Sequence, residues 1–144
     1  MIKYSVVKRF EFPYGHRLLN HKGSCRYIHG HNAIVEVELS SGLVDDMGVV
    51  IDFSEMNQKI KKYIEENLDH AFIYNKRDTV VVELLKLCPD QKVFELSENP
   101  TAENLAKHLY YVCKKLFNYN NGIEVESVVF YETSNSYAKY SEQK

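Results

Sequence analysis

Cysteine is scarce in this chain and odd in number. The 144 residues hold three cysteines, Cys25, Cys88 and Cys113, too few and too widely spaced for a disulfide framework. That points to a reducing compartment, with Cys88 and Cys113 reading as small packed side chains. Neither sign of charge is in excess. Eighteen Lys and Arg face twenty Asp and Glu, a net charge of −2, so no general affinity for nucleic acid is expected. No apolar run approaches the roughly 20 residues that span a bilayer, and residues 1–5 lack the apolar stretch of a signal peptide. The expectation is a cytoplasmic protein with no membrane and no nucleic-acid partner. No Gly-rich dinucleotide fingerprint, internal repeat or low-complexity segment occurs. Tryptophan is absent too, which excludes nothing.

What is present is an ordinary globular composition, 44% hydrophobic, long enough to bury one core as a single domain over residues 1–144. The richest stretch is Cys25-Arg26-Tyr27-Ile28-His29-Gly30-His31, which opens into an alternating run over residues 32–39. Side chains two apart on a strand share a face, so His29 and His31 project together. Two imidazoles supply two of the three protein ligands of a catalytic zinc, whose fourth position stays open. His16 follows the alternating Phe10, Phe12 and Tyr14, and comes near the pair if those two strands meet. A closed structural site of Cys25, His16, His29 and His31 is the non-enzymatic alternative.

Along the chain, residues 3–14 read as a strand ending near Pro13, residues 15–30 as a functional loop, and residues 31–40 as a second strand. Residues 44–48 form a turn signal and residues 49–51 a short strand. A helix begins at Asp52, whose Asp52-Phe53-Ser54-Glu55 has capping form, with Phe53, Met56, Ile60, Tyr63 and Ile64 as its apolar stripe. Residues 71–98 are hardest to read: residues 80–87 suggest a short helix and Val93–Leu96 a short strand. Asn99-Pro100-Thr101 supplies cap chemistry for a second helix with Leu105, Leu109, Val112 and Leu116 on one stripe. Residues 118–122 break it, and residues 123–132 form a last strand. The order predicts an α+β fold with a mostly antiparallel sheet.

Other polar residues attract notice. In Leu68-Asp69-His70, a carboxylate beside an imidazole can orient it and raise its basicity, although a solvated helix end gives the same tripeptide. Glu132 shares a face with Val128 and Phe130, so it is either a ligand anchor or an exposed strand end. Arg17, Lys22 and Arg26 flank the histidines, a place to meet phosphate or plain solvated surface.

Six blocks in order give the chain a resemblance to the 6-pyruvoyl-tetrahydropterin synthase and 6-carboxy-tetrahydropterin synthase family. They are Phe12-Pro13-Tyr14-Gly15-His16-Arg17-Leu18, Cys25 to Asn32 as quoted, Gly48-Val49-Val50-Ile51-Asp52-Phe53, Leu68-Asp69-His70, Asn99-Pro100-Thr101-Ala102-Glu103-Asn104, and Glu132-Thr133. The resemblance implies a tunnelling fold, an antiparallel four-stranded sheet with two helices on one face. Protomers of that fold close edge to edge into a barrel, here a homohexamer made as a dimer of trimers. It implies Zn2+ on His16, His29 and His31, Cys25 as catalytic base, Asp69 and His70 as a proton-relay pair shared with an adjacent protomer, and Glu132 as the pterin anchor. The implied enzyme is a lyase acting on 7,8-dihydroneopterin triphosphate, a small-molecule pterin substrate. The short Cys-to-His spacing is similar to the bacterial 6-carboxy-tetrahydropterin synthases of queuosine biosynthesis. Sister outcomes on the same fold are 6-pyruvoyl-tetrahydropterin and 6-hydroxymethyl-dihydropterin. Tyr14-Gly15, where many relatives carry small residues, and the long stretch from Ala71 to Glu98 depart from the family pattern.

Overall fold

The computed structural model describes residues 1–119 and 121–143. Asn120, inside the expected helix break, lies outside the described residues. Two long strands carry the architecture. β1 (Tyr4–His16) and β2 (His29–Ser41), each 13 residues, pair antiparallel from Tyr4 opposite Ser41 to His16 opposite His29. Both run further than their alternation alone suggested, so the expected loop at 15–30 is trimmed at each end and the histidines sit on the strands. Period-2 alternation sends Phe10, Phe12 and Tyr14 to the same buried face as Ala33, Val35, Val37 and Leu39.

The remaining strands are β3 (Phe72–Asn75), β4 (Val93–Leu96), β5 (Glu124–Thr133) and β6 (Ser136–Tyr140). The sheet order is β4-β3-β1-β2-β5-β6. This corrects the expected four-stranded antiparallel sheet: among the described residues there are six strands, and the sheet is mixed. β3 joins β1 in parallel through Gly15 opposite Phe72 and His16 opposite Ile73, and β4 continues in parallel beside β3. Parallel neighbours need a crossover, which helix α2, introduced below, supplies between β3 and β4. On the other side β5 returns as β6 through a hairpin closed by Thr133 and Ser136. The strand expected at 49–51 does not form. Asp45 Oδ1 accepts the N–H groups of Met47 and Val49, and Asp45 N–H donates to the Val49 carbonyl, so a turn uses groups a ladder would need.

Residues 53–67 form helix α1, whose cap Asp52 accepts from Ser54 N–H at 2.7 Å and whose middle, Asn57–Lys61, widens into a π turn. α2 (Thr79–Lys86) is capped by Asp78, and α3 (Ala102–Leu116) by the Thr101 hydroxyl. Met56, Ile60 and Ile64 of α1 and Leu105, Leu109 and Cys113 of α3 join the strand residues Phe12, Val35 and Phe130 in one core. Both helices therefore cover the same face of the sheet. The opposite face is polar, with Arg9 beside Glu36 at 3.5 Å and the Ser127 hydroxyl donating to Glu38 at 2.9 Å. Among the described residues, no helix is long and apolar enough to cross a membrane.

Candidate metal centre

At the end of the β1–β2 ladder the buried face changes from hydrocarbon to imidazole. His16 and His29 are cross-strand partners, and His31 lies two residues on, opposite Tyr14. Gly30 between the two β2 histidines is there for space. A Cβ at that position would stand 2.9 Å from the Tyr14 carbonyl oxygen, closer than a real Cβ comes to a backbone atom. Glycine lets β1 and β2 stay close where the ligands face each other.

Backbone carbonyls set the imidazole tautomers. His16 Nδ1–H donates to the Pro100 carbonyl at 2.8 Å, and His29 Nδ1–H donates to the Tyr27 carbonyl at 2.6 Å. Each neutral ring then presents a bare Nε2, and these two atoms face each other at 3.1 Å. His31 Nε2 is buried and has no hydrogen-bond partner. Ligand atoms of the three histidines lie within 4.8 Å of one another. Two bare nitrogens facing each other, with a third imidazole nitrogen buried beside them without a partner, suit a cation. Electrostatics agrees: burial first, and then the neighbouring His29 and His31, lower the His16 pKa to about 4, against the opposing bond to Pro100. Burial also lowers that of His31, with Glu132 pulling the other way. Neutral imidazole is the ligating form.

Glu132 closes the group. Its Oε1 is 4.0 Å from His16 Nε2 and its Oε2 3.9 Å from His31 Nε2. Tyr14 packs edge-on against His16 with ring centres 5.0 Å apart, and its buried hydroxyl has no partner. Burial, and then the Glu132 carboxylate, push that phenol above its usual range.

Among the described residues, the converging ligand set is the three histidines and does not include Cys25. Cys25 sits half-buried in a 3-10 turn, Ser24–Arg26, inside the loop that starts after His16 and ends before His29. Asp69 and His70 are hydrogen-bonded to each other, Oδ1 to Nδ1 at 2.7 Å, with the His70 side chain 78% exposed. His70 has φ of +61°, and its N–H donates to the Pro13 carbonyl at 2.8 Å.

Three participants escaped sequence reasoning. Arg17 is not free for phosphate: Asp78 holds it through Nε at 2.6 Å and Nη2 at 2.8 Å. Asp78 gave no sign beyond its position before a helix. Asn99 binds the Leu19 backbone, and Pro100 supplies the carbonyl that orients His16, although their tripeptide read only as a helix cap.

An α+β sheet with two helices on one face and three imidazoles at one end of its central strands defines a class of candidate metalloprotein. Its fold matches solved tetrahydropterin synthases. The 6-pyruvoyl tetrahydropterin synthase of Plasmodium vivax superposes with a TM-score of 0.75 at 16% identity over the full length of both chains. An uncharacterized protein from Wolinella succinogenes superposes with a TM-score of 0.88 at 26% identity over 99% of this chain and 100% of that one. The chain belongs to the 6-pyruvoyl tetrahydropterin synthase family, whose model matches residues 5–143. Members of this family are enzymes that act on pterins. The 6-carboxy-5,6,7,8-tetrahydropterin synthase of Rickettsia conorii is 37% identical over 140 residues, covering 96% of this chain and 99% of its own. That of Haemophilus influenzae is 32% identical over 145 residues, with the same coverage.

Proposed function

We propose that this chain converts 7,8-dihydroneopterin triphosphate and one water to 6-carboxy-5,6,7,8-tetrahydropterin with release of triphosphate and acetaldehyde, a lyase step of queuosine biosynthesis in the cytoplasm. The observation that carries this reading is the convergence of three imidazoles, two of them with Nε2 4.0 and 3.9 Å from the Glu132 carboxylate. The names of relatives aligned over nearly the whole chain support the product.

His16, His29 and His31 would hold one zinc per chain, with a fourth position left for substrate. Zinc, when bound, supplies the Lewis acidity that makes side-chain hydroxyl protons of the substrate easier to remove. Glu132 accepts hydrogen bonds from the pterin amino group and ring N–H, a charge-assisted pair that fixes orientation. The Cys25 thiolate takes a carbon-bound proton, and His70, oriented by Asp69, exchanges it. The redox change runs between side chain and ring, so no nicotinamide is required. With Arg17 held by Asp78, Lys22 and Arg26 are the favoured partners of the leaving triphosphate.

The working unit in this reading is a homohexamer, a dimer of trimers whose sheets join edge to edge. β4 and β6 are the edge strands, and an open edge is normally paired or protected. The exposure of His70 suits a residue that serves a neighbouring protomer. Mixing Cys25→Ala with His70→Ala chains tests that. Activity returns if one good site forms from two chains; a monomer that turns over substrate refutes the shared site.

The family model's description favours a second product, 6-pyruvoyl-tetrahydropterin. Mass spectrometry of the zinc-loaded protein with dihydroneopterin triphosphate separates the two. Acetaldehyde with a 6-carboxy product supports the first reading, a 6-pyruvoyl product supports the second, and no conversion refutes both. Zinc content of His29→Ala and His31→Ala tests the ligands, and full retention in both would overturn them.

A further inference from the structure

We infer that Asn99 is a positioning residue for Cys25, holding the cysteine loop against the histidine site; the inference rests on the reading of Cys25 as the proton-transferring thiol. Asn99 Oδ1 accepts the Leu19 N–H at 2.9 Å, and Asn99 Nδ2 donates to the Leu19 carbonyl at 2.9 Å. A carboxamide is the side chain that can accept and donate in this paired arrangement. The next link is Leu18, whose N–H donates to the Cys25 carbonyl at 2.8 Å. Two adjacent residues thus tie Asn99 to the turn that carries the thiol.

The anchor itself is held from both sides. Asn75 of β3, buried, donates to Asn99 Oδ1 at 3.1 Å, and Asn104 of α3 donates to the Asn99 carbonyl at 2.9 Å. Pro100, the following residue, accepts the His16 Nδ1–H. A single dipeptide therefore touches both halves of the site: Pro100 orients a metal-ligand candidate and Asn99 pins the cysteine loop. The loop's other bonds are mostly internal, Arg26 Nη1 donating to the Lys22 and Gly23 carbonyls, with Arg17 Nη1 reaching the Arg26 carbonyl at 3.4 Å. Residues 20–24 are exposed, and Asn20 sits at φ of +63°, a conformation few non-glycine residues adopt. Asn75 belongs to the 71–98 segment, so that segment reaches the thiol through the same side chain.

The test uses the zinc-loaded protein in a Cys88→Ser background, because Cys88 is the exposed thiol and Cys113 is buried. Asn99→Asp keeps an acceptor for Leu19 N–H but sets an oxygen against the Leu19 carbonyl; Asn99→Ala removes both bonds. In both variants zinc per chain and KM stay within about twofold of the parent. kcat falls about 10- to 100-fold, the scale of a misplaced reacting group, and Cys25 alkylation by iodoacetamide changes several-fold. Unchanged kcat and alkylation would overturn the assignment, and so would loss of zinc in step with kcat, which would put Asn99 behind His16 instead. If the parent turns over no pterin, the functional reading fails separately, while alkylation still decides whether Asn99 controls the thiol. Should the variants not fold, amide exchange on the parent decides. The Leu18 and Leu19 amides should exchange about 100-fold more slowly than those of exposed Lys22 and Ser24, and equal rates would overturn the clamp.

Discussion

Replacing His16 with glutamine should remove a large part of the acid sensitivity of the metal-free protein. His16 is 1% exposed, and its pKa falls from 6.5 to about 4, burial being the main cause. In the unfolded chain the ring takes up a proton near its ordinary value, while the folded ring resists until about pH 4. The unfolded state therefore binds more protons between those limits, and stability rises with pH across that window. The contribution is complete above about pH 6.5 and is lost as the pH falls through about 4. At about 1.4 kcal/mol per tenfold change in proton affinity the gap is worth about 3 kcal/mol. For a chain of this size that is roughly 10 °C in Tm. Thermal unfolding of chelator-treated parent and His16→Gln between about pH 7.5 and about pH 4.5 reads it out. Titrating groups away from the cluster are common to both proteins and cancel, so the difference reads His16 together with its coupling to His29 and His31. The parent should lose about 3 kcal/mol relative to the variant as the pH falls. A difference that does not change with pH would refute the argument.

Glu132→Gln should weaken pterin binding while leaving zinc content intact, because glutamine cannot accept two N–H bonds as a carboxylate does; unchanged affinity in a titration would reduce Glu132 to a strand end. Gly30→Ala should cost about 1–3 kcal/mol and lower zinc content, since its methyl must displace the Tyr14 carbonyl, and an unfolding midpoint and metal content equal to the parent would contradict the close approach. Asp78→Ala removes both the α2 cap and the partner of Arg17, at a cost of about 3 kcal/mol in urea unfolding; a change below about 1 kcal/mol would show that the pair is only surface decoration.

The long strands were legible because their alternation is strict. Phe10, Phe12, Tyr14 and His16 on one strand, and His29, His31, Ala33 and Val35 on the other, keep one parity into the core. The same regularity made the three histidines legible as a group, since parity alone puts them on one face. Val93–Leu96 was readable as a short strand and is β4, but β3 is four residues long and β6 a five-residue return after a tight turn, too short for a period to declare itself. The parallel pairing of β3 with β1 and of β4 with β3 depends on partners far along the chain, which left the expected sheet two strands short. Arg17 looked available for phosphate because its partner Asp78 lies 61 residues away. Asn99 looked like cap chemistry because its true partner is the backbone of Leu19, and a backbone partner leaves no mark in sequence.

The carbonyl-bound imidazoles have a thermochemical consequence. His16 and His29 already commit their Nδ1 protons to Pro100 and Tyr27, which leaves Nε2 bare on each ring. With the His16 pKa lowered to about 4, a metal arriving there at neutral pH expels no proton from that ring, whereas each thiol ligand of a cysteine-rich site must shed one. The calorimetric heat contributed by His16 is then the same in phosphate, which takes up protons with little heat, as in Tris, which takes them up with much. That ligand can take and release a metal without passing a proton to the groups around it.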